Sequence, residues 1–412
     1  MKTLVLLIFA FSFLWKSGLI LLKARSVRNP LPENVKDVYD EETYQKWKAY
    51  LGERVRFSLV TEAVTFAIEL VLLILNLHAA FAGLFPENWW MQMFAVALLE
   101  AASGLPMIPF SYYSTMHIEE KYGFNRSSKK TFWADQVKEF VIGLVIMVAI
   151  ASALGGLHLW LGDWVIVAFA IAMFVMILLI GFLFPYLSRI FNKFTPLEDG
   201  ELKEKLTALL ESHGFKVRAV QVMDASRRTT KSNAYFAGFG KMKTIVLFDT
   251  LVASMSPDEI CAVFAHELGH GLHKDTLKNQ VLTFVQMAVI ALLAWWVLRT
   301  PAFFTEFGFL MIGESCVNYG FAVLLIMSVL LALVMPLWSL LVNWHSRRAE
   351  YAADAQAVKE GYGESLVSAL KKLSRENLSD LSPSPLLVKL EYSHPTLSQR
   401  IAAIEACQKR QA

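Results

Sequence analysis

The feature that most constrains this chain is the recurrence of apolar windows about 20 residues long, the length a helix needs to cross the hydrocarbon core of a bilayer. Seven can be read, at 3–22, 57–83, 90–114, 139–160, 163–187, 279–299 and 319–344. Because 55% of its 412 residues are hydrophobic, a soluble fold would have trouble hiding the apolar surface that lipid solvates readily. The first window has the amino-terminal position of a secretory signal. It lacks a small-x-small cleavage site, and Leu19 to Leu22 continue past Trp15-Lys16, so a retained span is expected.

Basic residues alternate along the connecting segments. Segments 23–56, 117–138, 188–278 and 346–412 are rich in Lys and Arg, whereas 84–89 and 161–163 have none and 299–318 has only Arg299. The positive-inside rule then puts the amino terminus outside and all four basic segments in the cytosol. The net charge of +3 is small for the length, and no basic stripe with interleaved aromatics points to nucleic acid. Cys261, Cys316 and Cys407 are far apart and read as reduced thiols. Glu62, Glu69, Glu100, Gln280 and Gln286 interrupt the apolar windows. They should face other helices within a bundle or line a wet internal chamber, because facing lipid is costly.

Between the fifth and sixth windows the pattern changes to that of a small α+β unit. A helix is expected over 199–213, then short strands at 217–223, 232–238 and 244–248, with Gly238-Phe239-Gly240-Lys241 as a turn. That glycine pair lacks the rest of a phosphate loop, which argues against a nucleotide partner.

The chemistry-bearing run is His266-Glu267-Leu268-Gly269-His270. Two histidines four apart on a helix present their nitrogens on one face to a single ion, and the Glu beside them can act as general base on water. Ser256-Pro257-Asp258-Glu259 supplies a helix start in front of the run. A catalytic Zn²⁺ needs a third protein ligand and an open fourth position. A metzincin would have Gly at 273 and His at 276; the chain has His273 and Thr276, which excludes that class. Downstream, Glu350 and Asp354 share a helical face, so Glu350 can bind the metal while Asp354 orients a histidine through its other ring nitrogen. His273 is expected to lie beside the metal rather than on it, since a fourth protein ligand would close the site. His345 is expected at the membrane interface. Ser393-His394-Pro395 through Arg400 offers a His and an Arg six apart; on spacing alone His394 is a weak catalytic candidate. Asn233, Ala234 and Tyr235 form a strand that could pair with an extended substrate, although in isolation it is a generic strand.

Taken together, these residues resemble the CAAX prenyl protease 1 family of integral-membrane zinc metallopeptidases. The resemblance covers nearly the whole chain. It rests on the seven windows, Glu119 to Asn125, Ser232-Asn233-Ala234-Tyr235, Phe248-Asp249-Thr250-Leu251, the HELGH run, Glu350 with Asp354, and Ser393-His394-Pro395 with Arg400. It implies a mainly α membrane protein with seven transmembrane helices around a large water-filled chamber and a small α+β zinc-metallopeptidase domain on the cytosolic side. It also implies that His394 stabilises the transition state, Arg400 supports the site and Asn233 holds substrate as an added strand.

The expected organisation is five membrane helices in 1–187, a catalytic segment in 188–278, two membrane helices in 279–345, and a cytosolic segment in 346–412 that completes one zinc site per chain. The expected partners are the bilayer and a peptide or protein substrate, prenylated where such substrates exist. The chain end, Gln408-Lys409-Arg410-Gln411-Ala412, has no ER-retrieval motif. A bacterial inner membrane, with turnover of membrane proteins as the task, is therefore preferred to the endoplasmic reticulum. The competing class is a transporter or channel with a structural, four-ligand zinc site.

Overall fold

The computed structural model describes residues 1–214, 216–230, 233–237, 242–311 and 315–411. The chain begins with α1 (Lys2–Ala24), α2 (Glu41–Ile74) and the short α3 (Leu77–Ala82). Next come α4 (Trp89–Ser103), a short α5 (Ile108–Tyr113) and a π-helical turn at Ser114–Glu119. Helices α6 (Lys129–Leu161) and α7 (Val165–Phe191) pack against each other, and the chain breaks between them at Gly162, whose φ is +53°. The segment that follows holds β1 (Phe194–Pro196), α8 (Glu201–Glu211), β2 (Lys216–Met223), β3 (Ala234–Ala237), β4 (Met242–Phe248) and α9 (Asp249–Ser254). It leads into α10 (Pro257–Leu272) and then α11 (Asp275–Leu298) and α12 (Ala302–Thr305). A π-helical turn at Leu325–Leu330 joins α13 (Tyr319–Leu324) to α14 (Leu331–Lys359), and α15 (Gly363–Glu376), α16 (Pro385–Glu391) and α17 (Leu397–Gln411) follow.

Among the described residues, six helical stretches are long and apolar enough to cross a membrane: Lys2–Arg28, Glu41–Ile74, Trp89–Glu119, Lys129–Ile180, Asp275–Leu298 and Tyr319–Lys359. The fourth takes in one of the windows read from the sequence, 139–160, and most of a second, 163–187. These helices share an apolar core that includes Val5, Met93, Leu154, Phe169, Ala294, Phe304, Phe321 and Leu325. Without a solvent that drives apolar groups together, such helices associate by close packing, which small residues allow. Gly320 shows how close: a Cβ there would sit 2.6 Å from the Met93 carbonyl oxygen, so α13 rests directly on the α4 backbone. Three of the polar interruptions find partners on other elements. Glu62 lies 3.5 Å from Lys16 Nζ, Glu69 accepts from Ser103 Oγ at 3.1 Å, and Gln286 Nε2 lies 3.6 Å from Met335 Sδ.

The four basic segments meet in one body. Trp47, Leu51 and Val55 of α2 pack with Ile118, Tyr122 and Phe124 and with Leu378, Leu381 and Ile401, and Arg228 bridges to Asp135. Within this body the strands form one sheet in the order β1-β2-β4-β3, with β2 and β4 parallel and the outer pairs antiparallel. The expected 232–238 and 244–248 strands pair here as β3 and β4, Ala234 opposite Leu247. The expected turn at Gly238 to Lys241, and Ser232, lie outside the described residues. One sheet face packs on helices through Leu206, Val220, Ile245, Leu247, Ile260, Phe264 and Leu366.

Helix α10 begins where the sequence places it. Ser256 caps the helix and Glu259 completes a reciprocal capping box, with Pro257 at the first turn. The Glu259 carboxylate also accepts from Ser368 Oγ at 2.6 Å and Lys372 Nζ at 2.7 Å, which ties α10 to α15. Burial alone would push this carboxyl up; the hydrogen bonds from Lys372, Ser368 and the Ser256 backbone amide hold it at about 2. At its other end α10 meets α14 so tightly that a Cβ on Gly269 would lie 2.7 Å from Ala353 Cα. No side-chain rotation relieves a clash with backbone, so the helices would have to separate.

Two outcomes follow from these contacts. Gly269→Ala should destabilise the purified protein by about 1–3 kcal/mol, read as a lowered thermal midpoint in detergent, and an unchanged midpoint would contradict the close packing. Because the folded Glu259 carboxyl titrates below its ordinary 4.5, its stabilisation is complete above that pH and is lost as pH falls towards 2. A Glu259→Gln variant should therefore be less stable near neutrality by about 1–3 kcal/mol, with the gap to the parent narrowing below pH 4.5. A gap that stayed constant with pH would count against the carboxylate's role.

Candidate metal centre

Helix α10 carries His266 and His270 one turn apart, and α14 carries Glu350 opposite them. The His266 and His270 Nε2 atoms are 3.2 Å apart. Glu350 Oε1 lies 3.3 Å from His270 Nε2, and Oε2 lies 3.5 Å from His266 Nε2. A tetrahedron with metal–ligand bonds of about 2.0–2.1 Å has edges of about 3.3–3.4 Å, so the three groups fit one small ion without rearrangement. Glu350 is only 4% exposed, and its Oε2 has no hydrogen-bond partner among the described residues. Arg400 Nη1 lies 3.3 Å from that oxygen without hydrogen-bonding it, and a buried carboxylate so weakly satisfied favours a cation placed directly against it.

Each histidine has its far nitrogen engaged by a carboxylate. Asp354, one turn after Glu350, brings Oδ1 to 2.8 Å from His266 Nδ1. Asp275 brings Oδ2 to 3.0 Å from His270 Nδ1. With the proton on Nδ1, the Nε2 lone pair would point to the shared position, the tautomer a metal needs. Burial opposes charge on the His270 ring, but hydrogen bonds to Glu350 and Asp275, with the Glu350 and Glu267 charges, raise its pKa to about 9. The field that holds a proton there would also hold a cation. Arg400 balances part of the negative charge: its Nε and Nη2 donate to Asp354 at 2.9 and 2.6 Å, and Nη1 lies 3.3 Å from Glu350.

Of the residues singled out from the sequence, the structure brings together His266, His270, Glu350, Asp354, Arg400 and His394. His394 is largely exposed, with Nε2 3.3 Å from Glu350 Oε1 and Ser393 Oγ 2.9 Å from its Nδ1. Glu267 is half-buried, and its charge acts on both His270 and Arg400. His273 caps the end of α10 and His345 lies within α14; neither belongs to the three-ligand group. Ala234 and Tyr235 lie on β3, the outer strand of the sheet, and Asn233 immediately precedes it. Asn233 is exposed; its Oδ1 accepts from the Ala234 amide and its carbonyl accepts from the Phe248 amide at 3.1 Å. Ala234 packs on the cluster that includes Ile260 and Phe264 of α10, while Tyr235 packs on the other face with Met223 and Val246.

Asp275 was not legible as a site residue. It follows Lys274, whose φ of +58° turns the chain back on itself after α10. Its only sequence signal, an acid five positions after a histidine at a helix end, is common. Lys278 Nζ holds its second oxygen at 2.9 Å.

Comparison with known proteins agrees with this geometry. Residues 21–193 match the family model for the CAAX prenyl protease N-terminal region, described as five membrane helices, and residues 196–408 match peptidase family M48. The chain is 34% identical over 429 residues to CAAX prenyl protease 1 homolog of Arabidopsis thaliana, covering 97% of this chain and 96% of that protein. It is 33% identical over 416 residues to CAAX prenyl protease 1 of Saccharomyces cerevisiae, covering 91% and 88%. The crystal structure of Ste24p from S. mikatae superposes with a TM-score of 0.88 at 32% identity, covering 97% of this chain and 98% of that one. These matches support a peptidase and give no support to the transporter reading. The chain belongs to peptidase family M48 as a multi-pass integral-membrane metalloendopeptidase that acts on peptide or protein substrates and contacts lipid.

Proposed function

We propose that this protein is a zinc endopeptidase whose metal is held by His266, His270 and Glu350, and that it trims prenylated carboxyl termini at the cytosolic membrane face. The observation that carries the reading is the group of two imidazole nitrogens and one carboxylate with N···N and N···O distances of 3.2–3.5 Å, each histidine backed by a further carboxylate. A hard-oxygen metal such as Mg²⁺ would not select two imidazoles, whereas zinc does. Bound zinc would supply Lewis-acid polarisation of the scissile carbonyl and of the attacking water.

The chain's own residues do the rest. Glu267 takes the proton from the attacking water and delivers it to the leaving amine. Asp354 and Asp275 hold the two imidazoles in the ligating tautomer. Arg400 keeps Asp354 and Glu350 ionised and in place. His394, exposed at the rim, donates a hydrogen bond to the oxygen that gains charge as the peptide is attacked. The outer strand β3, with Ala234 and Tyr235 and the preceding Asn233, pairs with the substrate backbone and fixes which bond reaches the metal.

The wider architecture is also part of this reading. Packing of α6 on α7 across Gly162 favours counting the 129–180 stretch as two crossings, for seven in all. Soluble catalytic segments at 188–278 and 346–412 then lie on one side, which the density of Lys and Arg makes cytosolic. The polar side chains inside the helical region favour a wet chamber through which peptide approaches. The prenyl preference is taken from the names of the relatives, and it commits the protein to a lipidated substrate rather than to general turnover of membrane proteins.

The test is cleavage of a farnesylated peptide and its unmodified twin by the purified protein, with zinc measured on the same sample. The expected result is one catalytic zinc, faster cleavage of the farnesylated peptide, and a loss of about 10²–10⁴-fold in Glu267→Gln. Equal rates on the two peptides would remove the prenyl preference. Full activity in Glu267→Gln would overturn the mechanism.

A further inference from the structure

A second group of ligating side chains lies within the helical region. Glu69 of α2, His78 of α3 and Glu100 of α4 bring one imidazole nitrogen and two carboxylate oxygens to within 4.8 Å of one another. Val55, on the same helix as Glu69, packs with Ile401 beside Arg400. Fourteen residues separate Val55 from Glu69, about 21 Å along the α2 axis. The group is therefore distinct from the His266 centre and sits towards the other end of α2.

The bare group is electrostatically awkward. His78 is 1% exposed, and neither ring nitrogen has a hydrogen-bond partner among the described residues. Its Nε2 points at Glu100 Oε2 across 3.5 Å, and that oxygen is also buried without a hydrogen bond. Glu69 is held by one hydroxyl, Ser103 Oγ at 3.1 Å; the same hydroxyl donates to the Glu100 carbonyl at 2.7 Å. The Phe321 ring, 5.5 Å away, closes one side of His78. Two carboxylates and a fully buried imidazole with both nitrogens idle are expensive inside a membrane helix bundle.

A divalent cation resolves the imbalance. Two ionised carboxylates offset its charge, and neutral His78 supplies a lone pair to a buried site. A nitrogen donor beside two carboxylates selects a transition metal such as zinc over magnesium or calcium. Ser103, which already orients Glu69, acts as the support such ligands need. We propose that Glu69, His78 and Glu100 form a second, membrane-embedded site for a divalent transition-metal ion that pins α2, α3 and α4 together.

The test is a metal count on the full-length protein in detergent, stripped with chelator, re-equilibrated with Zn²⁺ and desalted. The parent should hold two ions per chain, and His78→Gln should hold one. A parent whose ion count, one or two, is left unchanged by His78→Gln overturns the proposal. The same count on the His266→Ala/His270→Ala double variant does not depend on the peptidase reading and leaves the α2–α4 corner intact. Retention of one ion there supports the second site, even if His78→Gln itself fails to fold, and retention of none overturns it. Replacing Zn²⁺ with Co²⁺ in the double variant should give a saturable visible absorption band that vanishes when Glu69→Gln is added; a band that persists also overturns the assignment.

Discussion

The contact between α10 and α14 at Gly269 and Ala353 is the constraint on which the rest of the site depends. The proposed metal position takes nitrogen from one helix and oxygen from another, Glu350 following His270 by 80 residues. Only helices that touch at backbone distance bring Glu350 within about 3.5 Å of both imidazoles. Each helix is fixed elsewhere as well: α10 by the Glu259 network with α15, and α14 through α17, where Arg400 reaches Asp354. The ligands are thus carried on rigid, cross-tied elements, which is the condition for a preorganised centre.

Charge is arranged by the same logic. Four carboxylates surround two imidazoles, and one guanidinium offsets part of the excess. Lys278 beside Asp275 offsets a little more, and the negative charge that remains favours a cation at the centre. Its position at the junction of the four basic segments also explains why the molecule needs them all. The second core on α2 and the carboxyl-terminal segments clamp the body in which the metal helices sit.

Much of this was legible from local patterns. The membrane windows followed from length and apolarity, the start of α10 from Ser256-Pro257 with Glu259, and the two-histidine face from helical period. Glu350 and Asp354 were legible because their spacing places them on one face and a third ligand was owed. What could not be read depended on distant parts of the chain meeting. Gly269 looks like one small residue in a motif until Ala353 is placed against it. Asp275 is ordinary until Lys274 turns it back to His270. Glu69, Glu100 and His78 are three scattered interruptions of apolar sequence until α2, α3 and α4 pack. The break at Gly162 was visible as two adjacent windows, yet apolarity alone runs through it without pause.

If His266, His270 and Glu350 alone hold a zinc ion, one position is left open to water. Anomalous diffraction at the zinc edge from crystals of the Glu267→Gln protein tests this. The expected result is a peak bonded to His266 Nε2, His270 Nε2 and Glu350, with solvent or peptide as the remaining ligand. No peak between α10 and α14, or a peak closed by a fourth protein side chain, would contradict it.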